Sequence, residues 1–398
     1  LSGHSFDDVN FSKIEPNPPL YTFRITDSEL KKQYESGFKI NELINRYVQG
    51  FKSERDSIAI QFEKTNIVDI VTAMRSNKTN EELCNHYGFK NNRDWSLERA
   101  RDLAKKRKQW SNYFTEVQYR PFDKRWTYFD KALITYPRPL VQSSIFGHEN
   151  LSLCIGQQGN VMGDEEWSLV YCSELPVDLN INPRGGAYLF PLYVYNDTLK
   201  ITNYSSTIID KIEIAINKRL QEPMDKERLE DGFLPVDLMD YIYAILHSVS
   251  YRDTYHDFLQ NDFPIIPYPE SAEYFFSMAE LGKKLRDLHQ LKDIEQKDFI
   301  TKYPISVPTD SNLVSSCKFE ETEEGLGRVW INRYQYFDEV PTDAWSLNIS
   351  GYQVLEKWLK DRKGKVLNSN DIRHYQKIVV ALVKTMEVQE EIDDIIQL

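Results

Sequence analysis

The amino-acid sequence predicts an α+β fold, with a β-rich central part flanked by helices and a helical C-terminal third. Two patterns support this class. Apolar residues recur at helical spacing over 66–114 and over 207–300, whereas residues 117–196 contain short apolar or alternating runs separated by Gly and Pro. Because no internal repeat or long linker separates these regions, we expect them to form one composite unit.

The first predicted part, residues 1–118, is a mixed α/β region. The elements expected in it are, in order, a strand at 20–25, a helix over 27–49 with an interruption at Gly37, a strand at 57–62 and mostly helical structure over 66–114. The last of these helices, at 97–110, places Leu97 and Ala104 on an apolar face and basic residues on the opposite face. We therefore expect a basic helix at the surface of this part.

The second predicted part, residues 119–200, is a β-rich core, and the third, residues 201–398, is a mainly helical scaffold. The strands expected in the core lie at 127–129, 151–155, 168–171 and 188–195. The helices expected in the scaffold include 238–247, 272–291, one near 351–362 and one at 369–396, with a hairpin-like piece at 327–332. The loops of the β-rich core are therefore the expected place for contacts with a partner.

Charge is distributed unevenly along the chain. The formal net charge is −12, which alone argues against a nucleic-acid partner. Between Lys90 and Arg138, however, there are 13 Lys and Arg residues and six Asp and Glu residues. Charge that is segregated in this way can direct one basic face toward an anionic partner, so we give the local balance more weight than the total.

Several classes of protein are not expected. The longest apolar run, at 378–383, is far shorter than the roughly 20 residues that span a bilayer, and no signal peptide is visible. The four cysteines form no CxxC pair and the seven histidines lack metal spacing, so we expect reduced thiols, a cytoplasmic location and no metal site. No P-loop, dinucleotide or serine-hydrolase motif is found, and we expect no catalysis. The first residue is Leu, which suggests a piece of a longer chain.

The strongest candidate binding motif is a run rich in arginine and aromatic residues at 119–130, followed at once by Tyr136-Pro137-Arg138-Pro139. Guanidinium groups bind phosphates and base edges, and aromatic rings pack or stack beside them. We therefore predict DNA contacts for three residues: Arg120, Arg125 and Arg138. The alternative is that Asp123 and Asp130, which lie in the same run, pair with these arginines.

The basic helix supplies a second candidate surface. Six Lys and Arg residues lie between Arg99 and Lys108, and we predict phosphate contacts for Lys105, Arg107 and Lys108. A solvated face is the alternative, because charge runs on helices usually face water. Arg55, in the run Ser53-Glu54-Arg55-Asp56, is predicted either to reach DNA from a surface loop or to belong to a salt-bridged turn.

Polar loops of the central part are the candidates for reading bases. The turn at 156–160 contains Gln157, Gln158 and Asn160, whose amides can hydrogen-bond to adenine edges. A second loop, at 180–186, carries Arg184 next to two glycines. The alternative for both segments is an ordinary polar loop between strands.

Short motifs follow one another over nearly the whole chain. They are GFKSERD at 50–56, YRPFDKR at 119–125, YPRP at 136–139, FPLY at 190–193, ILHS at 245–248 with YR at 251–252, FPIIP at 263–267, GYQ at 351–353, WLKDRKG at 358–364 and RHYQ at 373–376. This ordered set resembles the C-terminal specificity region of type ISP restriction-modification enzymes. Those enzymes join nuclease, helicase-like translocase, adenine methyltransferase and target-recognition parts in one polypeptide.

The resemblance implies a region that selects the DNA sequence for methylation and cleavage and has no catalysis of its own. It implies double-stranded DNA and the methyltransferase domain of the same polypeptide as partners. S-adenosylmethionine, ATP and Mg²⁺ are then expected only in upstream domains. The resemblance supplies no base code, so the predicted arginines could hold the fold or contact the DNA backbone. The competing interpretation is a non-catalytic module that docks other domains of the same enzyme.

Overall fold

Helices and strands are interspersed along the chain, which confirms the predicted α+β class. The computed structural model describes residues 28–157, 166–183, 185–304 and 311–398. The first elements are α1 (Ser28–Glu35), β1 (Phe38–Lys39), α2 (Ile40–Leu43), β2 (Val48–Gln49), α3 (Asp56–Ala59), β3 (Ile60–Gln61), α4 (Lys64–Arg75), α5 (Asn80–Tyr87), α6 (Leu97–Lys106) and β4 (Phe114–Arg120). The strand predicted at 20–25 lies outside the described residues.

The centre of the chain is rich in strands, as predicted. Its elements are β5 (Asp123–Tyr128), α7 (Pro139–Gln142), β6 (Ser152–Gly156), β7 (Val170–Ser173), β8 (Ala187–Pro191), β9 (Tyr193–Asn196) and β10 (Leu199–Thr202). Each of the four strand regions expected here overlaps an observed strand. The region predicted as one strand at 188–195 contains two, because the chain turns between β8 and β9.

The C-terminal part contains the long helices and a second sheet. Its elements are α8 (Ser206–Ile216), β11 (Arg219–Leu220), β12 (Gly232–Phe233), α9 (Pro235–His247), α10 (Val249–Thr254), α11 (His256–Leu259), β13 (Ile265–Ile266), α12 (Ala272–His289), β14 (Lys318–Glu323), β15 (Leu326–Trp330), β16 (Tyr336–Pro341), α13 (Thr342–Ser346), β17 (Asn348–Ile349), β18 (Tyr352–Gln353), α14 (Val354–Lys360) and α15 (Ser369–Asp393). The hairpin-like piece predicted at 327–332 is part of the three-stranded antiparallel sheet β14–β15–β16.

The interruption predicted at Gly37 in the helix over 27–49 is confirmed: α1 ends at Glu35, where the chain turns to pair with a distant segment, and helix resumes in α2. The helix predicted after Leu43 is wrong, because 44–49 is not helical. Gly37 permits the turn: a Cβ atom at this position would lie 2.3 Å from the carbonyl oxygen of Ile266. Phe38 and Ile266 are direct partners in the antiparallel pair of β1 and β13. A long-range pairing therefore overrides local helix propensity here.

The strand predicted at 57–62 is wrong in its first half, where the chain forms α3. Only Ile60 and Gln61 join a sheet. The Gln61 side-chain amide donates to the carbonyl oxygens of Ser57 and Ile58, at 2.7 and 3.0 Å, and so stabilises the helical turn. The alternating pattern misleads because Ile58 and Ile60 are both buried although they belong to different elements.

A four-stranded antiparallel sheet, in the order β2–β8–β6–β7, lies between two apolar cores. Successive side chains of β6 lie on opposite faces of the sheet: Leu153 and Ile155 belong to the first core, whereas Cys154 belongs to the second. The first core includes α8, α9 and α12, and the second includes α14 and α15. The central sheet therefore has helices packed on both of its faces.

A third apolar core lies against the sheet β3–β5–β4 and contains α4, α5 and α6. Its buried residues come from 51–134. The arginine-rich motif forms the turn and adjoining strands of the β4–β5 hairpin in this sheet. The basic helix and the arginine-rich hairpin are therefore packed into one local unit.

A buried carboxylate joins this hairpin to the C-terminal helices. Asp123, at the start of β5, accepts a hydrogen bond from Arg125 at 2.7 Å and one from Arg362, just after α14, at 2.8 Å. All three side chains are buried. Burial raises the pKa of the Asp123 carboxyl, but the charges of Arg362 and Arg125 outweigh this effect and hold the pKa well below its usual range. We call these three residues the ion cluster.

Replacing Asp123 with Asn should destabilise the fold, because two buried guanidinium groups lose their shared counter-charge. We expect the free energy of unfolding to fall by about 3–5 kcal/mol at neutral pH. Urea denaturation measures this quantity. The matched control is Asp102→Asn, which removes an exposed carboxylate that has no ion pair within the described ranges. Equal stability of the two variants would contradict the role assigned to the ion cluster.

The ion cluster should also make the fold sensitive to acid. The pKa of Asp123 is lower in the folded chain than the value of about 4 expected for an unfolded chain. The ionised carboxylate therefore contributes its full stabilisation above about pH 4 and loses it as the pH falls toward the folded pKa. We expect the difference in unfolding free energy between wild type and Asp123→Asn to shrink by up to about 1.4 kcal/mol per pH unit below about pH 4. A difference that stays constant with pH in urea titrations would count against this cause.

Candidate nucleic-acid interface

The basic helix predicted at 97–110 is present as α6 and ends at Lys106. It begins at a Ser96 cap, whose hydroxyl accepts a hydrogen bond from the amide of Arg99 at 3.4 Å. Its buried face consists of Leu97, Ala100 and Ala104. Arg99, Lys105 and Lys106 are exposed on the other side, so the predicted division of this helix into an apolar and a basic face is confirmed.

Two arginines fasten α6 to α4. Arg101 donates to three carbonyl oxygens at and after the end of α4, at 2.9, 2.9 and 2.6 Å: those of Met74, Ser76 and Lys78. In return, Arg75 of α4 donates to the carbonyl oxygens of Ala104 and Arg107 at the end of α6. These bonds satisfy carbonyl groups that a helix terminus leaves unpaired, so both arginines serve the fold.

Three lysines near the C-terminal end of α6 are exposed: Lys105, Lys106 and Lys108. Within the described ranges none of them has a carboxylate partner. Lys105 and Lys108 are predicted phosphate contacts, and Lys106 belongs to the same run although the prediction does not name it. We call these residues the lysine group. Cations at this end of a helix also interact favourably with the negative end of its dipole.

Arg107, the third predicted phosphate contact of this helix, has a partner within the chain. Its guanidinium Nη2 lies 2.7 Å from Oδ2 of the buried Asp130. The hydrogen bond to Asp130 raises the pKa of Arg107 above its ordinary value. Its side chain nevertheless keeps 42% of its surface exposed, so a second acceptor can still reach it.

Arg120 and Arg125 are buried and have acceptors inside the protein. Arg125 belongs to the ion cluster and lies over the ring of Tyr119, with 4.0 Å between its guanidinium carbon and the ring centre. Arg120 forms an ion pair of 2.7 Å with Asp178. Pairing with Asp123 or Asp130, the alternative considered from the sequence, holds for Arg125, which pairs with Asp123, whereas Arg120 pairs with the distant Asp178. Their contact with DNA stays a prediction.

The Arg120–Asp178 pair fastens β4 to the segment before β8. Besides Arg120, the Asp178 carboxylate accepts a hydrogen bond from the amide of Asn180 at 2.9 Å. Burial raises the pKa of Asp178 to about 6, because the loss of hydration outweighs the effect of the neighbouring Arg120 charge. The Asp178 carboxyl is therefore buried and has a structural role.

Arg55 is buried, in a turn that contains the Lys52–Glu54 ion pair of 3.1 Å, as in the salt-bridged alternative; its contact with DNA stays a prediction. Its guanidinium donates to the carbonyl oxygens of Ser53 and Leu133, at 2.7 and 3.0 Å. The guanidinium carbon stacks 3.8 Å above the centre of the Trp95 ring. Burial lowers the pKa of Arg55 to about 10. These contacts hold the loop at 53–56 against the loop before α7.

Arg138 differs from the other arginines of the prediction. It is half-buried, its φ of 53° lies in the left-handed region, and its guanidinium carbon is 5.4 Å from the centre of the Tyr136 ring. In the part of the chain that the structure describes, its side chain has no hydrogen-bond acceptor or ion pair. Its Nε atom is enclosed and unpaired.

Of the predicted base-reading residues, Gln157 is half-buried and follows β6 directly. Gln158, Asn160 and Arg184 lie outside the described residues, so their placement stays a prediction. No group of His, Cys, Asp or Glu side chains suited to a metal ion occurs within the described ranges. In the same ranges, no helix combines the length and apolar character needed to cross a bilayer.

Three solved structures share the fold of this chain. A nuclease-deletion mutant of the type ISP restriction-modification enzyme LlaGI, in complex with a DNA substrate mimic, has a TM-score of 0.63 and 19% identity, covering 97% of this chain and 36% of that chain. The ATP-dependent type ISP enzyme LlaBIII bound to DNA has a TM-score of 0.65 and 19% identity, with coverages of 96% and 25%. A DrdV–DNA complex has a TM-score of 0.70 and 18% identity, with coverages of 98% and 41%. This chain therefore spans less than half of each of these proteins.

Sequence comparisons point in the same direction. No curated protein sequence gives a significant match. A family model does match, and it describes the type ISP C-terminal specificity domain over residues 42–392. Because this match covers most of the chain and agrees with the shared fold, the chain belongs to the family of type ISP C-terminal specificity domains.

Proposed function

We propose that this domain binds double-stranded DNA and selects the sequence on which a larger restriction-modification polypeptide acts. The observation that carries the proposal is the lysine group of α6, whose three exposed cations have no carboxylate partner among the described residues of an acidic chain. Exposed cations of this kind attract a polyanion, and contacts to phosphates supply the sequence-independent share of DNA affinity.

The similar structures support this proposal at the level of the fold. The LlaGI structure contains a DNA substrate mimic, and the LlaBIII and DrdV structures contain DNA. This chain matches each of them over nearly its whole length. The identities are 18–19%, so each contact in this chain is argued from its own geometry.

We assign different tasks to the basic residues of the interface. The lysine group and the open part of Arg107 contact phosphates, which position the duplex without reading it. Arg55, Arg120 and Arg125 hold the surface in shape. Base edges are assigned to polar residues of the central loops, which carry suitable amide and guanidinium groups: Gln157, Gln158, Asn160 and Arg184.

In the larger polypeptide, we assign this domain no chemistry of its own. Methyl transfer, DNA cleavage and ATP-driven translocation, with S-adenosylmethionine, Mg²⁺ and ATP, belong to other domains. The methyltransferase domain needs the duplex to be held still while one adenine is flipped out of the stack. We propose that the helical C-terminal part supports this arrangement by packing against that domain.

The alternative function is a non-catalytic module that docks other domains. Exposed apolar side chains favour it, such as Ile214 on α8, which keeps 81% of its surface accessible, and Leu199 on β10, which keeps 62%. The two functions differ in their response to salt. Binding to DNA weakens steeply with added salt, whereas apolar docking is nearly insensitive to it.

Replacing Lys105, Lys106 and Lys108 together with Gln should weaken binding to random-sequence duplex DNA. Each lost phosphate contact lowers the steepness of log K against log salt by about 0.9, so three should lower it by about 2.7. Fluorescence anisotropy between about 50 and 200 mM salt measures this slope.

The matched control for the lysine group removes the same charge elsewhere. Lys226, Lys283 and Lys384 are exposed, have no ion pair within the described residues and belong to the C-terminal part. Their joint replacement with Gln should leave the salt slope close to that of the wild type. If both triple variants lose the same affinity, the DNA does not lie on the basic face of α6.

Replacing Arg125 with Gln should lower stability much more than DNA affinity. Loss of a buried charge partner costs about 3 kcal/mol or more in unfolding free energy. The affinity of the folded variant should change by less than about threefold, because its guanidinium is enclosed. Urea denaturation and anisotropy measure the two quantities, and Lys124→Gln, an exposed neighbour, is the control. A tenfold loss of affinity in folded Arg125→Gln would instead identify Arg125 as a DNA contact.

A further inference from the structure

The backbone at Arg138 is strained at the N-cap of α7, where its carbonyl oxygen accepts hydrogen bonds from the amides of Val141 and Gln142. Its φ and ψ are 53° and 59°, a left-handed conformation that side-chain-bearing residues rarely adopt. The following residue is Pro139, which disfavours helical conformations in the residue before it. Strain of this kind costs about 1–3 kcal/mol and persists only where the surrounding structure enforces it. Eight other non-glycine residues of the described chain also have a positive φ, so the strain at Arg138 supports a ligand site only together with the state of its side chain.

The side chain of Arg138 adds a second cost. Its enclosed Nε has no acceptor among the described residues, and a desolvated donor without a partner costs about 1–3 kcal/mol. The other arginines of the predicted surface differ in having acceptors inside the protein, although Nη2 of Arg55 and Nε of Arg120 are likewise enclosed and unpaired. Arg120 bonds to Asp178, Arg125 bonds to Asp123, and Arg55 bonds to backbone carbonyl groups. Arg138 therefore combines a strained backbone with a guanidinium group that the described part of the chain leaves unmatched.

The surroundings of Arg138 are arranged for an anion. The ring of Tyr136 lies between cations, with its centre 5.4 Å from the Arg138 guanidinium carbon and 6.0 Å from Nζ of Lys52. The Tyr136 hydroxyl donates to Asp94 at 2.8 Å, and Arg93 pairs with the same carboxylate at 3.0 Å. We call these five residues the tyrosine cluster.

The charges of the tyrosine cluster do not balance. Arg93 is paired with Asp94, and Lys52 lies 3.1 Å from Glu54. Arg138 has no such carboxylate within the described ranges. Arg138 is therefore the cation of this group whose charge is not paired within the described ranges, and an anionic partner can reach it.

The tyrosine cluster and the lysine group lie at opposite ends of one helix. Asp94 comes three residues before the start of α6, and the nearby Trp95 is fixed by a 3.0 Å hydrogen bond to the carbonyl oxygen of Ala132. The lysine group is at the other end, about 15 Å away at 1.5 Å per residue. The major groove of B-DNA is about 12 Å wide. Two cationic sites at this spacing on a rigid helix suit two stretches of backbone on either side of a groove.

We propose that Arg138 is a fixed anchor that binds one backbone phosphate of the DNA and sets the register of the duplex on this domain. The inference rests on the proposed DNA-binding function and gives one residue a defined part in it. A phosphate oxygen accepts from the unmatched guanidinium donors, and its charge balances the tyrosine cluster. A neutral base edge would satisfy the donors and leave the charge unbalanced. The flanking prolines and the Tyr136 ring restrict the side chain, so little entropy is lost when the phosphate binds.

The test uses the whole domain and random-sequence duplex DNA, with Arg138→Asn as the main variant. Asn removes the charge and tolerates the left-handed backbone, so the fold should be retained. We expect the affinity to fall roughly ten- to a hundredfold, as for the loss of one charge-assisted contact, and the salt slope to fall by about 0.9. Arg138→Lys should keep the salt slope and lose part of the affinity, because an ammonium group cannot bind a phosphate in a bidentate manner.

Further measurements separate the possible outcomes. Arg138→Gly, which adopts this backbone without steric cost, repeats the measurement in a second background. Unchanged affinity and slope in Arg138→Asn and Arg138→Gly would overturn the proposal. A changed preferred sequence, after selection from a randomised library, would assign the contact to a base and would overturn the phosphate assignment. Absence of DNA binding by the wild type, at low and high salt, would instead reject the proposed function itself.

Discussion

The arrangement of this domain depends on a buried carboxylate held between two guanidinium groups. Asp123 and Arg362 are 239 residues apart in sequence, and their 2.8 Å contact closes the third core against the C-terminal helices. Neighbouring contacts strengthen this closure: Arg362 stacks 3.5 Å from the ring centre of Trp358, and His374 of α15 lies 2.7 Å from the carbonyl oxygen of Phe122. An isolated carboxylate could not be buried at this position, because the loss of hydration would exceed any single contact. Two partners make the burial possible.

The fold class and most elements follow from local patterns, which is why the sequence predicts them. Helical periodicity identifies α6, α9, α12 and α15, and short apolar runs identify the strands of the central sheet. The failures occur where a distant segment decides the conformation. The short pairing of Phe38 with Ile266 replaces predicted helix after the expected interruption at Gly37, and residues 56–59 form the helix α3 although their pattern alternates. The residues near these two segments do not reveal either conformation.

The same contrast between local patterns and distant partners applies to the candidate site. The lysine group is predictable because a run of lysines on the polar side of an amphipathic helix has few ways to become buried. The arginines are harder, since a guanidinium group can serve a core as well as a surface. The acceptor of Arg120 is 58 residues away, and one acceptor of Arg55 is 78 residues away. The ion pair of Arg125 with Asp123 can be predicted, because the two residues are close in sequence. Asp130 instead pairs with Arg107, which lies outside the arginine-rich run.

The distinction that matters for function is therefore whether a cation already has an acceptor. Each of five arginines has at least one acceptor inside the protein, and together these contacts fix the shape of the basic face: Arg55, Arg75, Arg101, Arg120 and Arg125. The lysine group and Arg138 have no acceptor among the described residues. The lysine group lies at the C-terminal end of α6, and Arg138 lies beside Tyr136, which bonds to Asp94 just before the other end of α6. Because the chain carries a net charge of −12, other faces repel a polyanion. In the proposed function, this acidic protein binds DNA through one narrow cationic surface, and buried arginines make that surface rigid.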